Sequence, residues 1–99
     1  MSSDQPSVFK DPEMVREQLA LPAVVKYSFV GLSTPEYHAR LEEIVLRVAN
    51  EVNIRNRTFK RSSEGAYTAY RYEVYHDNFQ DVENLYREVM NLEGTKFVV

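Results

Sequence analysis

The chain has 99 residues, 43% of them hydrophobic and 27% charged, with no cysteine and a formal charge of −3. Length and composition fit one globular domain with a modest core. The absence of cysteine excludes disulfides, thiolate metal sites, iron–sulfur clusters and cysteine nucleophiles, and with them the usual support of small secreted domains, so a cytoplasmic location is expected. The negative charge argues against coating nucleic acid through bulk charge, though not against a local basic patch.

The longest apolar run, Leu19 to Val25, contains Pro22 and is far too short to span a membrane. Met1 to Ser7 is polar, carries Asp4 and lacks the basic start and apolar stretch of a signal peptide, and Ser, Asp, Gln and Pro dominate residues 1–10. They read as a flexible tail before one domain over residues 11–99. Asp11-Pro12-Glu13 has the chemistry of a helix start, with Asp at the cap, Pro at the first helical position and Glu at the positive end of the dipole. A short helix to about Leu19 is expected, ending before Pro22.

Ala23 to Gly31 predicts a strand with Val25, Tyr27 and Phe29 facing the core and Lys26, Ser28 and Val30 on the other side. Thr34-Pro35-Glu36 then opens a helix. Its apolar stripe is Tyr37, Leu41, Ile44, Val45, Val48 and Val52, with Asn53 as terminator. Ile54 to Arg61 is polar and basic, which suits a sheet edge. Ser62-Ser63-Glu64-Gly65 is a tight turn into Ala66–His76, a tyrosine-rich strand. Asp77 with Gln80 has capping-box spacing for a last helix whose stripe is Phe79, Val82, Leu85, Tyr86, Val89 and Met90. Gly94 ends it, and Thr95–Val99 is a final strand. The order β-α-β-β-α-β predicts an α+β, ferredoxin-like sandwich: a four-stranded antiparallel sheet with two helices on one face, behind the short N-terminal helix.

Short motifs carry a resemblance. Leu21-Pro22 precedes Tyr27 and Gly31; Ser62-Ser63-Glu64-Gly65-Ala66-Tyr67 and Val82-Glu83-Asn84-Leu85-Tyr86 follow; Lys96-Phe97-Val98-Val99 ends the chain. Over roughly Leu19 to Val99 the sequence resembles the YbeD-like family of small bacterial proteins of unknown function. The resemblance implies an ACT-like, ferredoxin-like fold. ACT-like domains tend to regulate enzymes, often by binding small metabolites between paired subunits, so by analogy it points to regulation. The family pattern has a lysine where Glu64 stands, which puts in doubt any anion-binding role of that position here.

No residue set supplies catalysis, so the chain reads as a non-enzyme with no cofactor and no metal. His38 with Glu42 four residues on is expected to be an ordinary helix-surface contact. His76 lies beside Asp77, already used as a cap, and nothing repeats at metal-ligand spacing. Glu42, Glu43, Asp81, Glu83 and Glu88 fall mostly on the polar sides of the helices. The Gly31–Pro35 turn reads as a normal capped helix start ahead of an anion site.

The candidate binding residues are Arg55, Arg57, Phe59 and Arg61, with Ser62, Ser63, Gly65, Tyr67 and Arg71. Strict strand alternation puts Arg55, Arg57, Phe59 and Arg61 on one face; if that face lacks helices, Tyr67, Arg71 and Tyr75 join them. The first reading is a regulatory or adaptor domain acting through a protein partner, a small effector, or both. A homodimer through an open face carrying Val24, Val30, Phe59 and Tyr67 is part of that reading. The alternative is single-stranded RNA bound by arginines and aromatics on the open sheet. A one-residue change of register would flip every side chain of this strand.

Overall fold

In β1 (Ala23–Leu32) Val25, Tyr27 and Phe29, two residues apart, are large, apolar and buried against two helices. The computed structural model describes residues 20–99; the expected tail and the helix at residues 11–19 lie outside them. After β1 come α1 (Pro35–Ala49), a one-turn 3-10 helix (Glu51–Asn53), β2 (Ile54–Arg61), β3 (Tyr67–His76), α2 (Phe79–Met90) and β4 (Thr95–Val98). The sheet order is β2-β3-β1-β4 and every pairing is antiparallel. This is the expected α+β arrangement, with β2 at an edge.

Helix α1 starts where its sequence directs. Thr34 is extended, its hydroxyl accepts from the Tyr37 amide at 3.1 Å, and Pro35 fills the first turn. Ser33 Oγ lies 2.6 Å from Thr68 Oγ1, tying this turn to β3. The helix ends earlier than expected. Asn50 takes a positive φ of 70° and stops the chain after Ala49. Asn53 still caps, but through its side chain, which donates to the Ala49 carbonyl at 2.7 Å. Val52, expected in the core stripe, therefore lies outside the helix and is 79% exposed.

The second cap is also displaced by one residue. Asn78, not Asp77, is the N-cap of α2, and its Oδ1 accepts from the Asp81 amide at 2.9 Å. The reason is that His76 is still paired in the sheet opposite Ala23, so the chain needs both following residues to turn. Gln80 instead donates to Asn84, and Met90 is exposed at the helix end. Gly94, expected to stop this helix, lies beyond its end at Asn91 and supplies a φ of 102° in the turn into β4.

The core is a layer of rings and aliphatics between sheet and helices. Tyr27, Phe29, Tyr70, Tyr72, Val74 and Val98 come from the sheet; Tyr37, Leu41, Val45, Val82, Leu85 and Val89 come from the helices. The tyrosine hydroxyls find partners: Tyr70 donates to the Leu32 carbonyl at 2.7 Å, and Tyr37 Oη lies 2.7 Å from Thr95 Oγ1. Tyr72 donates to Glu42 Oε1 at 2.7 Å. Burial above all, with that bond, holds the Tyr72 phenol protonated well above its ordinary range.

Candidate functional site

Among the described residues, the helices leave the second face of the sheet uncovered. Strand β1 places Val24, Lys26, Ser28, Val30 and Leu32 there, opposite Tyr75, Glu73, Arg71, Ala69 and Tyr67 of β3. Strand β2 adds Asn56, Thr58 and Lys60, and β4 adds Phe97 opposite Val30.

Register decides which of the expected residues reach this face. A bulge between Ile54 and Asn56 inserts Arg55 as an extra residue. Beyond it Arg57, Phe59 and Arg61 pair with Tyr72, Tyr70 and Thr68, whose side chains point toward the helices. Strict alternation along β2 is thereby corrected: Arg55 reaches the open face with its guanidinium 5.2 Å from the Tyr75 ring centroid, while Arg57 and Phe59 lie on the helix side.

The two residues on the helix side have structural partners. Arg57 donates from Nε to Glu42 Oε2 at 2.9 Å and from Nη2 to Glu51 Oε1 at 2.9 Å. The guanidinium, tied to both carboxylates, stays protonated far above its ordinary range, and Glu51 is held below the usual carboxylate range chiefly by its hydrogen bond with Arg57. Phe59 meets His38 with ring centroids 4.5 Å apart and Tyr70 at 5.6 Å. His38 thus packs on rings rather than acting with Glu42. Glu42→Ala would strand the buried Tyr72 hydroxyl and one side of Arg57 together. It is expected to lower stability by about 2 kcal/mol in urea unfolding, and Glu42→Gln, which keeps an acceptor, by about half as much. Equal losses for the two variants would contradict this role.

The hairpin end gathers most of the other expected residues. Gly65, at φ 82°, closes the turn, with its amide donating to Ser62. A recess of about 300 Å³ opens on the uncovered side, lined by Lys60, Arg61, Ser62, Ser63, Tyr67 and Arg71 among others, over Val30 and Ala69. A second, of about 400 Å³, opens on the helix side between Ser33, Thr34, His38, Phe59, Arg61 and Tyr70. Arg61, at the strand end, borders both.

Two cations escaped the sequence reading. Lys60 sits on the face opposite to Arg57 and Phe59, so the expected alternation hid it. Lys96 comes from β4, and its ammonium lies 4.4 Å from the Tyr67 ring centroid. Only the register of β2 and β4 reveals either one. Counting Lys26, Arg55, Lys60, Arg71 and Lys96 against Glu73, the open face is strongly basic in a chain whose formal charge is −3. Between the cations, β1 and β4 also expose apolar side chains: Val24 is 44% and Phe97 45% exposed, and Leu32 and Val99 are exposed as well.

Among the described residues no three His, Asp or Glu side chains converge to hold a metal ion, and no helix is long and apolar enough to cross a membrane. Comparison with known proteins adds relatives. UPF0250 proteins of Haemophilus influenzae, from strains PittEE, PittGG and 86-028NP, are each 27% identical to this chain over 93 residues, covering 94% of it and 99% of the relative. The model of the family described as "Protein of unknown function (DUF493)" matches residues 16–99. The chain belongs to that family, in agreement with the YbeD-like resemblance of its motifs.

Proposed function

We propose that this chain is a non-catalytic regulatory or adaptor module of the cytoplasm that docks an acidic protein partner on its open sheet face. The observation that carries the reading is charge sorting. A net-negative chain places five cations and one carboxylate on the sheet face that the described helices leave uncovered, among exposed apolar side chains that include Val24 and Phe97. Exposed apolar patches with charged surroundings are characteristic of interaction surfaces, and the field selects the sign of the partner. Two copies meeting face to face would oppose like charges, so a homodimer through this face is disfavoured. Phe59 lies on the other side of the sheet and adds nothing to such a dimer.

The test uses the tagged full chain and a lysate of the native cell. Val24→Ser/Lys26→Glu/Phe97→Ser changes the face outside the hairpin recess, and Arg40→Glu/Glu43→Lys changes the exposed side of α1 as a control. One acidic protein is expected to be retained by the parent and the helix control and lost by the sheet variant. Identical capture by all three would overturn the reading.

The second reading, RNA, is favoured by Tyr67, Tyr75 and Arg71 sharing the open face. It is weakened because Lys96 and Arg55 lie over those two rings, where bases would stack. Titration with short single-stranded RNA at two salt concentrations separates the readings. Binding that weakens steeply with salt would move the conclusion to nucleic acid.

A further inference from the structure

We infer that the recess at the turn end of the β2–β3 hairpin is a binding site for a phosphate monoester. Lys60 pairs with Ala69 and Thr58 with Arg71, so Lys60 and Arg71 are diagonal neighbours on one face of adjacent strands. Arg61 borders the same recess. Like charges so placed repel, and a sheet tolerates them best with an anion between them. None of the three forms an ion pair among the described residues. The chain's 15 carboxylates are not in short supply, and Arg47 and Arg57 are each paired with one or two of them.

The rest of the lining fits the same ligand. Among the described residues no carboxylate lines the recess. Ser62 Oγ accepts from the Gly65 amide at 3.2 Å, which leaves its hydroxyl hydrogen to donate, and the Ser63 hydroxyl adds a second donor. Ala69 and Val30 form a low apolar floor because Ala69, opposite Lys60, has no side chain long enough to fill the space. Three cations match a dianionic tetrahedral group better than a single carboxylate, and the floor accepts a short organic body. The site lies at one end of the face assigned above to a partner. Its binding is read with no partner present, so either reading can fail alone.

The experiment titrates the full chain with phenyl phosphate, following backbone amide shifts and the thermal midpoint at constant ionic strength. Saturable shifts centred on residues 60–63 and 67–71 are expected, with a rising midpoint. Lys60→Gln and Arg71→Gln should each weaken binding about tenfold. Without ligand, each should unfold no earlier than the parent, since repulsion is relieved. Ala69→Ile keeps every charge but fills the floor, and should abolish saturation. Arg55→Gln, at the far end of the face, should leave binding unchanged. A parallel arm compares a phosphoserine peptide with its unphosphorylated twin. If the peptide binds much tighter than phenyl phosphate, the source is a phosphorylated partner; if the two match, it is a small metabolite. No saturation by either, shifts that survive Ala69→Ile, or an Arg71→Gln affinity equal to the parent's, would overturn the site.

Discussion

Gly31→Ala is expected to destabilise the fold by about 2–3 kcal/mol, a large share of what a domain of this size has to spare. Gly31 is buried in β1 on the helix side, and a Cβ built there would overlap the Cε2, Cζ and Oη atoms of Tyr37. Tyr37 has nowhere to go. Its hydroxyl lies 2.7 Å from Thr95 Oγ1, its ring centroid is 5.5 Å from that of Tyr70, and a Cβ on Gly94 would sit 2.9 Å from its Cδ1. One ring is thus wedged between two glycine backbones, joining the start of α1 to both β1 and the turn into β4. Urea unfolding would show a lower midpoint with an unchanged slope. Gly31→Ala/Tyr37→Leu should lose less than the two single changes together, because the smaller side chain vacates the overlap. Additive losses would mean that the ring is not what the new methyl strikes. Gly65→Ala is the contrasting case. A Cβ there meets nothing nearer than Arg61 Cδ at 3.9 Å, so only its φ of 82° matters and roughly 1 kcal/mol is expected.

The parts of this fold legible in the sequence are those where one local rule decides. Val25, Tyr27 and Phe29 alternate with polar residues because one face of β1 is covered and the other is not, and period-two patterning reports that directly. Thr34-Pro35 is legible because cap and proline chemistry act within one turn. The structure departs from the sequence pattern where two local rules compete. Asn50 and Asn53 can both end a helix; Asn50 adopts the positive φ and Asn53 supplies a side-chain amide, a division of labour that residue type does not encode. Asp77 and Asn78 are both good caps, and the length of the β3–β1 pairing chooses between them. For the candidate site, Ser62, Ser63, Arg61, Tyr67 and Arg71 could be found because a hairpin brings sequence neighbours together. Arg57 was misplaced and Lys60 missed for a single reason. The bulge at Arg55 is a pairing property of two strands, and β2 alone carries no mark of it.

Acidification below about pH 6.5 is expected to destabilise the protein through one residue, His76. This histidine ends β3 with only 3% of its surface exposed, and its Nε2 lies 2.8 Å from Tyr27 Oη. A neutral imidazole can accept from the phenol there, whereas an imidazolium can only donate and brings a charge into the core. Burial pushes the imidazole below its ordinary value of 6.5, and the carboxylates of Asp81 and Asp77 offset this only in part. The folded state therefore binds this proton more weakly than the unfolded chain. Stability is complete above the unfolded value and falls as pH drops through it, until the folded imidazole also protonates. The slope from one such group is at most about 1.4 kcal/mol per pH unit. Glu51 and Glu88, held low chiefly by their hydrogen bonds with Arg57 and Arg47, act in the other window. Their contribution is present above the ordinary carboxylate value of 4.5 and is lost only below it. Urea midpoints measured from about pH 8 down to about pH 5 should fall for the parent and stay nearly level for His76→Gln, which keeps a hydrogen-bonding group and cannot titrate. Asp81→Asn should steepen the fall, because it removes the carboxylate that most favours the imidazolium. Parallel curves for the parent and His76→Gln would assign the acid sensitivity to another group.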